Sequence, residues 1–143
     1  MRRGIVILLL LSAGLPGRVG AQLEGVTVIA HPETELQSIS RAELAKIHMK
    51  RLRFWQNGVR ARPVDQSPES EVRRAFSEQV LRRSVVNIEV YWKKMIFSGR
   101  GVPPPEVLSD ALVIEYVRST PGAIGYVGES TEAAGLLEVT VYD

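Results

Sequence analysis

Apolar side chains recur along residues 22–143 with two different periods, and each period predicts one type of element. The β-branched run 26–30, the apolar run 123–127 and the alternating run 136–142 predict short strands. Four segments between them carry apolar residues at helical spacing. Each follows a serine that can cap a first turn; these serines are Ser40, Ser67, Ser84 and Ser109. The mixture predicts a three-layer α/β or α+β domain with a small sheet.

The second predicted helix follows a strand directly, so its start is the natural place to look for a site. Ser67 followed by Pro68 predicts the N-cap and the first helical residue, because proline loses no hydrogen bond there. Residues 59–65 predict the preceding strand, and Pro63 places that strand at a sheet edge. The third helix adds an apolar cluster that we interpret as core, formed by Trp92, Met95, Ile96 and Phe97.

Residues 1–21 have the layout of a secretory signal peptide. Two arginines precede an apolar stretch, and small residues at 19–21 provide a processing site. The stretch is shorter than the about 20 residues that span a bilayer, although an uncleaved anchor is the alternative. We therefore expect a single domain at residues 22–143, exported to the periplasm, with no membrane insertion after signal cleavage.

Removal of residues 1–21 changes the charge from +2 to −1, so bulk charge gives no reason to expect a nucleic-acid partner. The distribution is uneven: residues 41–100 carry 14 basic and 6 acidic side chains, whereas residues 101–143 carry one and seven. Such a bipolar surface can steer an anion or an acidic partner. The alternative is that long basic side chains solvate the faces of amphipathic helices.

Known enzyme signatures are missing from the sequence. It has no cysteine, no Gly-x-Ser-x-Gly, no phosphate-binding glycine loop with lysine and no His-Glu-x-x-His. The two histidines, His31 and His48, lie 17 residues apart without nearby metal-ligand spacing, and we expect both in loops or at the surface. The chain is therefore predicted to be a non-enzyme without metal or cofactor.

The turn after Asp65 is the best candidate site, because unpaired amides and the helix dipole at a helix start favour an anion. Two hydroxyls and the amides after Pro68 would hold the ligand, with an arginine adding charge. Two glutamates, Glu69 and Glu71, oppose this by placing negative charge at the same spot. The predicted ligand-binding residues are Arg62, Asp65, Ser67, Glu69, Ser70 and Arg73.

Several motifs in order resemble one protein family. They are Leu44-Ala45-Lys46-Ile47, Phe54-Trp55-Gln56-Asn57-Gly58, Pro63-Val64-Asp65-Gln66, Tyr91-Trp92 and, most specific, Pro121-Gly122-Ala123-Ile124-Gly125-Tyr126-Val127. Together they resemble the phosphate-type substrate-binding proteins of ABC importers. The resemblance implies a periplasmic-binding-protein-like (type II) single lobe, a small mixed sheet flanked by about four helices, and binding of phosphate or a similar oxyanion.

The sequence also departs from that family's pattern. Residues 67–70 read Ser-Pro-Glu-Ser where relatives carry a Ser-Gly-x-Thr-like segment, and residues 48–50 read His-Met-Lys where they carry Phe-x-Gly. The 122 residues after the signal peptide supply about one of the family's two lobes. Two functions follow: a solute-binding protein serving an ABC permease, or a ligand-free interaction module that docks on a periplasmic sensor or transporter.

Overall fold

A computed structural model describes residues 23–143. The predicted signal peptide lies outside these residues, and the division at residues 21 and 22 stays a prediction. Within residues 23–143, no helix combines the length and the apolar character needed to cross a membrane.

Within residues 23–143, seven short strands form two sheets. In chain order they are β1 (Val26–Ala30), β2 (Ser38–Ser40), β3 (Arg62–Pro63), β4 (Asp65–Gln66), β5 (Glu106–Val107), β6 (Ala123–Gly128) and β7 (Leu137–Tyr142). Five strands pair in the order β2-β7-β1-β6-β3, and β4 pairs with β5 in a separate parallel ribbon. The predicted strands at 26–30, 123–127 and 136–142 are confirmed, whereas β2 and β5 were not predicted.

The main sheet is small and mixed, as the resemblance implied. Strand β1 runs antiparallel to both β6 and β7, while β2 and β3 run parallel to their neighbours. The strand predicted at 59–65 is interrupted: it contains β3, which lies at the sheet edge as Pro63 requires, and the first residue of β4 in the separate ribbon. The amides of Arg62 and Val64 donate into the sheet on either side of the proline.

Four α-helices flank the sheet: α1 (Arg41–His48), α2 (Glu71–Phe76), α3 (Val85–Phe97) and α4 (Asp110–Ser119). Helix α2 continues into a π-helical segment, Ser77–Leu81. The predicted caps Ser40, Ser84 and Ser109 each accept a hydrogen bond from the amide three residues on.

The prediction for the start of α2 is wrong by one turn. The amide of Ser70 donates to the carbonyl of Ser67 at 3.0 Å, so residues 67–70 form a separate turn. Ser70, rather than Ser67, accepts from the amide of Arg73 and caps the helix. Pro68 therefore lies in the turn and not at the first helical position.

The sheet separates two apolar layers, because alternate residues of β1 and β6 face opposite sides. On one side, Val28 and Tyr126 pack with residues of α1 and α2. On the other side, Ile29 and Val127 pack with α4. Gly125 permits the second contact, since a Cβ there would lie 2.7 Å from a side-chain carbon of α4. The result is the predicted three-layer arrangement.

Two predictions about individual side chains are wrong. His48 is 1% exposed rather than at the surface, because the last turn of α1 faces the rings of Phe76 and Tyr126. In α3, Trp92 is buried as expected, but Phe97 is 90% exposed and Ile96 is half exposed. Only one face of α3 contacts the core, and helical spacing places Phe97 on the opposite face. Ile96 follows Trp92 by four residues but lies in the last turn of α3, where it is half exposed.

Candidate functional site

The ribbon of β4 and β5 positions the turn that precedes α2. The amide of Asp65 donates to the carbonyl of Pro105 at 2.9 Å, and the amide of Ser67 donates to that of Val107 at 3.0 Å. These bonds fix the backbone on the two sides of Gln66. The chain therefore enters α2 at a defined angle, directly beside the start of α4.

Gln66 joins the starts of these two helices. Its side-chain Nε2 donates to the Oδ1 of Asp110 at 2.7 Å and to the carbonyl of Tyr126 at 3.0 Å. Its Oε1 accepts from the hydroxyl of Ser70 at 2.8 Å. Asp110 is further engaged, since its Oδ2 accepts from the hydroxyl of Thr131 at 2.6 Å. The side chain of Gln66 is thus fully used inside the protein.

Arg73 lies 1% exposed beneath the turn, between two carboxylates. Its Nη1 donates to the carbonyl of Gln66 at 2.5 Å and lies 3.4 Å from the Oε1 of Glu106. Its Nε lies 3.8 Å from the Oδ1 of Asp65. Burial alone would lower the pKa of Arg73, but the Asp65 carboxylate and, to a lesser degree, Tyr126 and Glu106 raise it. The guanidinium therefore stays charged and acts as a buried counter-ion.

Tyr126 completes this network from the centre of the sheet. Its hydroxyl donates to Asp65 at 2.7 Å and accepts from the amide of Gln66 at 3.1 Å. Burial raises the pKa of Tyr126 well above its ordinary value, and the Asp65 carboxylate adds to the rise. The hydroxyl is therefore a permanent proton donor that holds Asp65 in place.

The structure brings three of the six predicted site residues, Asp65, Ser70 and Arg73, into one hydrogen-bonded network. Their polar atoms point inward, so they support the turn from below. Ser67 is half-buried and Glu69 exposed on its outer surface. Arg62 does not join them, because it lies on β3 and lines a different groove.

Sequence reasoning missed four members of the network: Gln66, Glu106, Asp110 and Tyr126. Only Tyr126 carried a signal, as a polar ring inside an apolar strand motif. Glu106 and Asp110 come from segments distant in sequence, which only the fold brings beside residues 65–73. Gln66 adjoins Asp65, and only its contacts with Asp110 and Tyr126 depend on the fold.

The outer surface of the turn offers backbone donors. Among the residues that the structure describes, the amides of Glu69, Glu71 and Val72 have no acceptor, as is usual at a helix start. The carboxylates of Glu69 and Glu71 are exposed beside them, and Glu71 pairs with Arg74 at 3.4 Å. The turn thus combines free amides with negative charge. Elsewhere in the described chain, no group of three His, Cys, Asp or Glu side chains is arranged to hold a metal ion.

No protein-family model matches the sequence, and no curated protein matches it. Solved structures do resemble it. A protein from Clostridium perfringens, described as a phosphate ABC transporter substrate-binding protein with bound phosphate, is 17% identical with a TM-score of 0.65, over 86% of this chain and 47% of that one. An ABC-type phosphate transport receptor from Vibrio cholerae is 13% identical with a TM-score of 0.64, over 82% and 46%.

A third structure, PstS from Borrelia burgdorferi, is 19% identical with a TM-score of 0.58, over 82% of this chain and 47% of that one. The first two are named as phosphate substrate-binding or phosphate-transport proteins. This chain spans about half the length of each of the three. The resemblance read from the motifs is confirmed at the level of the fold: the chain has the α/β fold of about one half of a phosphate-type ABC substrate-binding protein.

Proposed function

We propose that this chain is an exported, periplasmic, non-enzymatic solute-binding protein that recognises phosphate or a related oxyanion at the turn formed by residues 67–72. The observation that carries the proposal is the set of three amides without acceptors, those of Glu69, Glu71 and Val72. Such amides favour an anion. The fold shared with phosphate-binding proteins supports the choice of oxyanion.

The two glutamates are expected to make the proposed site prefer hydrogen phosphate to sulfate. A carboxylate can only accept hydrogen bonds, so Glu69 tolerates a protonated oxyanion such as hydrogen phosphate and repels fully deprotonated sulfate. The half-buried Ser67 hydroxyl can donate to the same ligand. The buried positive charge of Arg73 is balanced by Asp65 and Glu106, so it adds little attraction. We expect weak binding with phosphate preferred over sulfate.

A matched pair of variants at Glu71 tests the role of the amides. Glu71→Gln removes a charge and keeps the amide, whereas Glu71→Pro removes both. Glu71 is the first helical residue, where proline is tolerated, and Ser70 before it is already extended. Calorimetry with inorganic phosphate should show tighter binding by Glu71→Gln than by the wild type, and weaker binding by Glu71→Pro than by Glu71→Gln. Absence of heat at millimolar phosphate in the wild type and in Glu71→Gln would overturn the proposal.

A second function, a ligand-free module docking on a periplasmic sensor or permease, is favoured by the surface of α3. Val86, Val90 and Phe97 are exposed, and their spacing places them on one face of the helix. Affinity capture from periplasmic extract, with and without phosphate, distinguishes the two functions. A partner lost with Phe97→Glu, retained with Val102→Glu and indifferent to phosphate supports docking.

A further inference from the structure

A groove of about 350 Å³ opens on the molecule away from the turn of residues 67–72. It lies between the end of α1, the segment leading into β3, helix α3 and the proline-rich connector before β5. Its volume lies in the range of small-molecule sites. Five cationic side chains line it: Lys50, Arg53, Arg60, Arg62 and Arg100.

The charge of this groove is uncompensated. No Asp or Glu lines it, and in the described part of the chain none of its five cations takes part in an ion pair. The ammonium of Lys50 donates to the carbonyl of Pro103 at 3.3 Å. Partial burial lowers the pKa of Lys50, and Arg60 and Arg53 lower it further by repulsion. Lys50, Arg53 and Arg60 are therefore close enough to repel each other, and an anion between them would relieve that repulsion.

The backbone conformation of Lys50 also supports an anion site in this groove. Lys50 has a φ of 54°, in the left-handed region where glycine is the least strained residue. It ends α1 in a turn where the amides of Arg51 and Leu52 both donate to the carbonyl of Lys46. A lysine thus occupies a position that favours glycine, and its side chain lines the groove.

Apolar and aromatic side chains line the groove together with the cations. Met95 and Tyr116 are half-buried, and Trp92 is buried behind them with 5% of its surface exposed. This combination suits a ligand with an apolar body and negative charges, because guanidinium pairs with oxyanions and ring faces pack against carbon.

We propose that this groove binds a small organic polyanion, an apolar or aromatic body carrying at least two negative charges. Its residues do not overlap with the turn of residues 67–72. The proposal therefore stands independently of phosphate binding at that turn.

Calorimetry of the purified protein with 1-naphthyl phosphate tests whether this groove binds such a ligand. Lys50→Gly removes one groove cation and relieves the backbone, so the variant is expected to fold. Arg82→Gly is the matched control, since Arg82 is exposed, has a φ of 56° and lies outside the groove. We expect Lys50→Gly to weaken binding at least tenfold, while Arg82→Gly changes it less than twofold. The wild type should bind 1-naphthyl phosphate at least tenfold tighter than inorganic phosphate.

Three outcomes of the measurements on the wild type and the two glycine variants overturn the proposal, and a fourth concerns Glu71→Pro. They are absence of heat at millimolar 1-naphthyl phosphate, equal effects of the two glycine variants, and tighter binding of a tetraglutamate peptide, which would assign the groove to an acidic protein segment. The Glu71→Pro variant separates the two proposals, because it removes an amide of the turn and leaves the groove unchanged. If Glu71→Pro lost 1-naphthyl phosphate binding while Lys50→Gly retained it, that ligand would bind at the turn and the groove assignment would be overturned.

Discussion

The buried network around Arg73 and the basic groove around Lys50 both contain several charged side chains. In the network the charges are paired, whereas in the groove they are not. Arg73 lies between Asp65 and Glu106, beneath a turn whose side-chain hydroxyl at Ser70 is also engaged. The groove holds five cations and no lining acid. Compensated charge in the interior holds helices and strands in place. Uncompensated charge at the surface costs stability and is available to a ligand.

The comparison distinguishes two roles that an arginine near a candidate site can have, a buried structural cation and an exposed binding cation. The sequence placed Arg62 and Arg73 in the same predicted role, as cations for an anion at the turn. The structure places Arg73 inside the network and Arg62 on the rim of the groove. Burial and pairing, rather than proximity in sequence, decide which arginine is available to bind.

The largest effect is expected from Arg73→Met, which removes the buried cation and leaves the Asp65 carboxylate without its counter-ion. The free energy of unfolding should fall by about 3 kcal/mol or more, as measured by urea denaturation. Arg74→Met is the control, because Arg74 is exposed and pairs only with exposed Glu71. Its change should stay within about 0.5 kcal/mol. Similar losses in both variants would contradict the description of Arg73 as a buried counter-ion.

His48 gives the network region an acid sensitivity. Burial lowers the pKa of His48, although Asp65 and the backbone at Leu44 and Val64 partly oppose the shift. The folded state then binds fewer protons than the unfolded state below about pH 6.5. The free energy of unfolding is therefore unaffected by His48 well above pH 6.5, and it falls as the pH drops from about 6.5 to the lowered pKa of His48, by at most about 1.4 kcal/mol per pH unit.

Urea denaturation at pH 7 and at about pH 5 measures this loss. His48→Leu should flatten the dependence in that interval, while His31→Asn, at the partly exposed histidine, should retain it. A wild-type slope that persists unchanged in His48→Leu would show that other groups cause it.

Lys50→Gly should stabilise the protein, in contrast to every substitution in the network. Glycine adopts the φ of 54° without strain, and removal of one cation reduces repulsion with Arg53 and Arg60. We expect a gain of about 0.5–1 kcal/mol in the free energy of unfolding. Arg82→Gly should gain less, because it relieves only the backbone. A loss of stability in Lys50→Gly would mean that the lysine makes a contact worth more than its strain.

The smallest effect is expected from salt. Raising sodium chloride from about 0.01 M to about 0.1 M shortens the Debye length from about 30 Å to about 10 Å and screens the groove cations from each other. Wild-type stability should rise by a few tenths of a kcal/mol, and Lys50→Gly should rise by less. Equal salt responses in the two proteins would argue against repulsion within the groove.

Some elements were predictable because their causes are local. Ser40, Ser84 and Ser109 cap the helices as predicted, since a cap needs only the amide three residues on. The start of α2 was misplaced because Ser67 and Ser70 both satisfy the local rule. The pairing of β4 with β5, between segments 41 residues apart, selected Ser70.

The sequence by itself determined the strands at 26–30 and 123–127, the helices between them and the resemblance to a phosphate-type fold, because periodicity and motif order are properties of neighbouring residues. Only the tertiary structure decided which charged side chains are buried and paired and which are exposed and unpaired. Arg73 became a buried counter-ion because Glu106 packs beside it, and Lys50 became part of a groove because α3 and the proline-rich connector pack around it. The cost of burying a charge depends on partners that the linear chain does not place side by side.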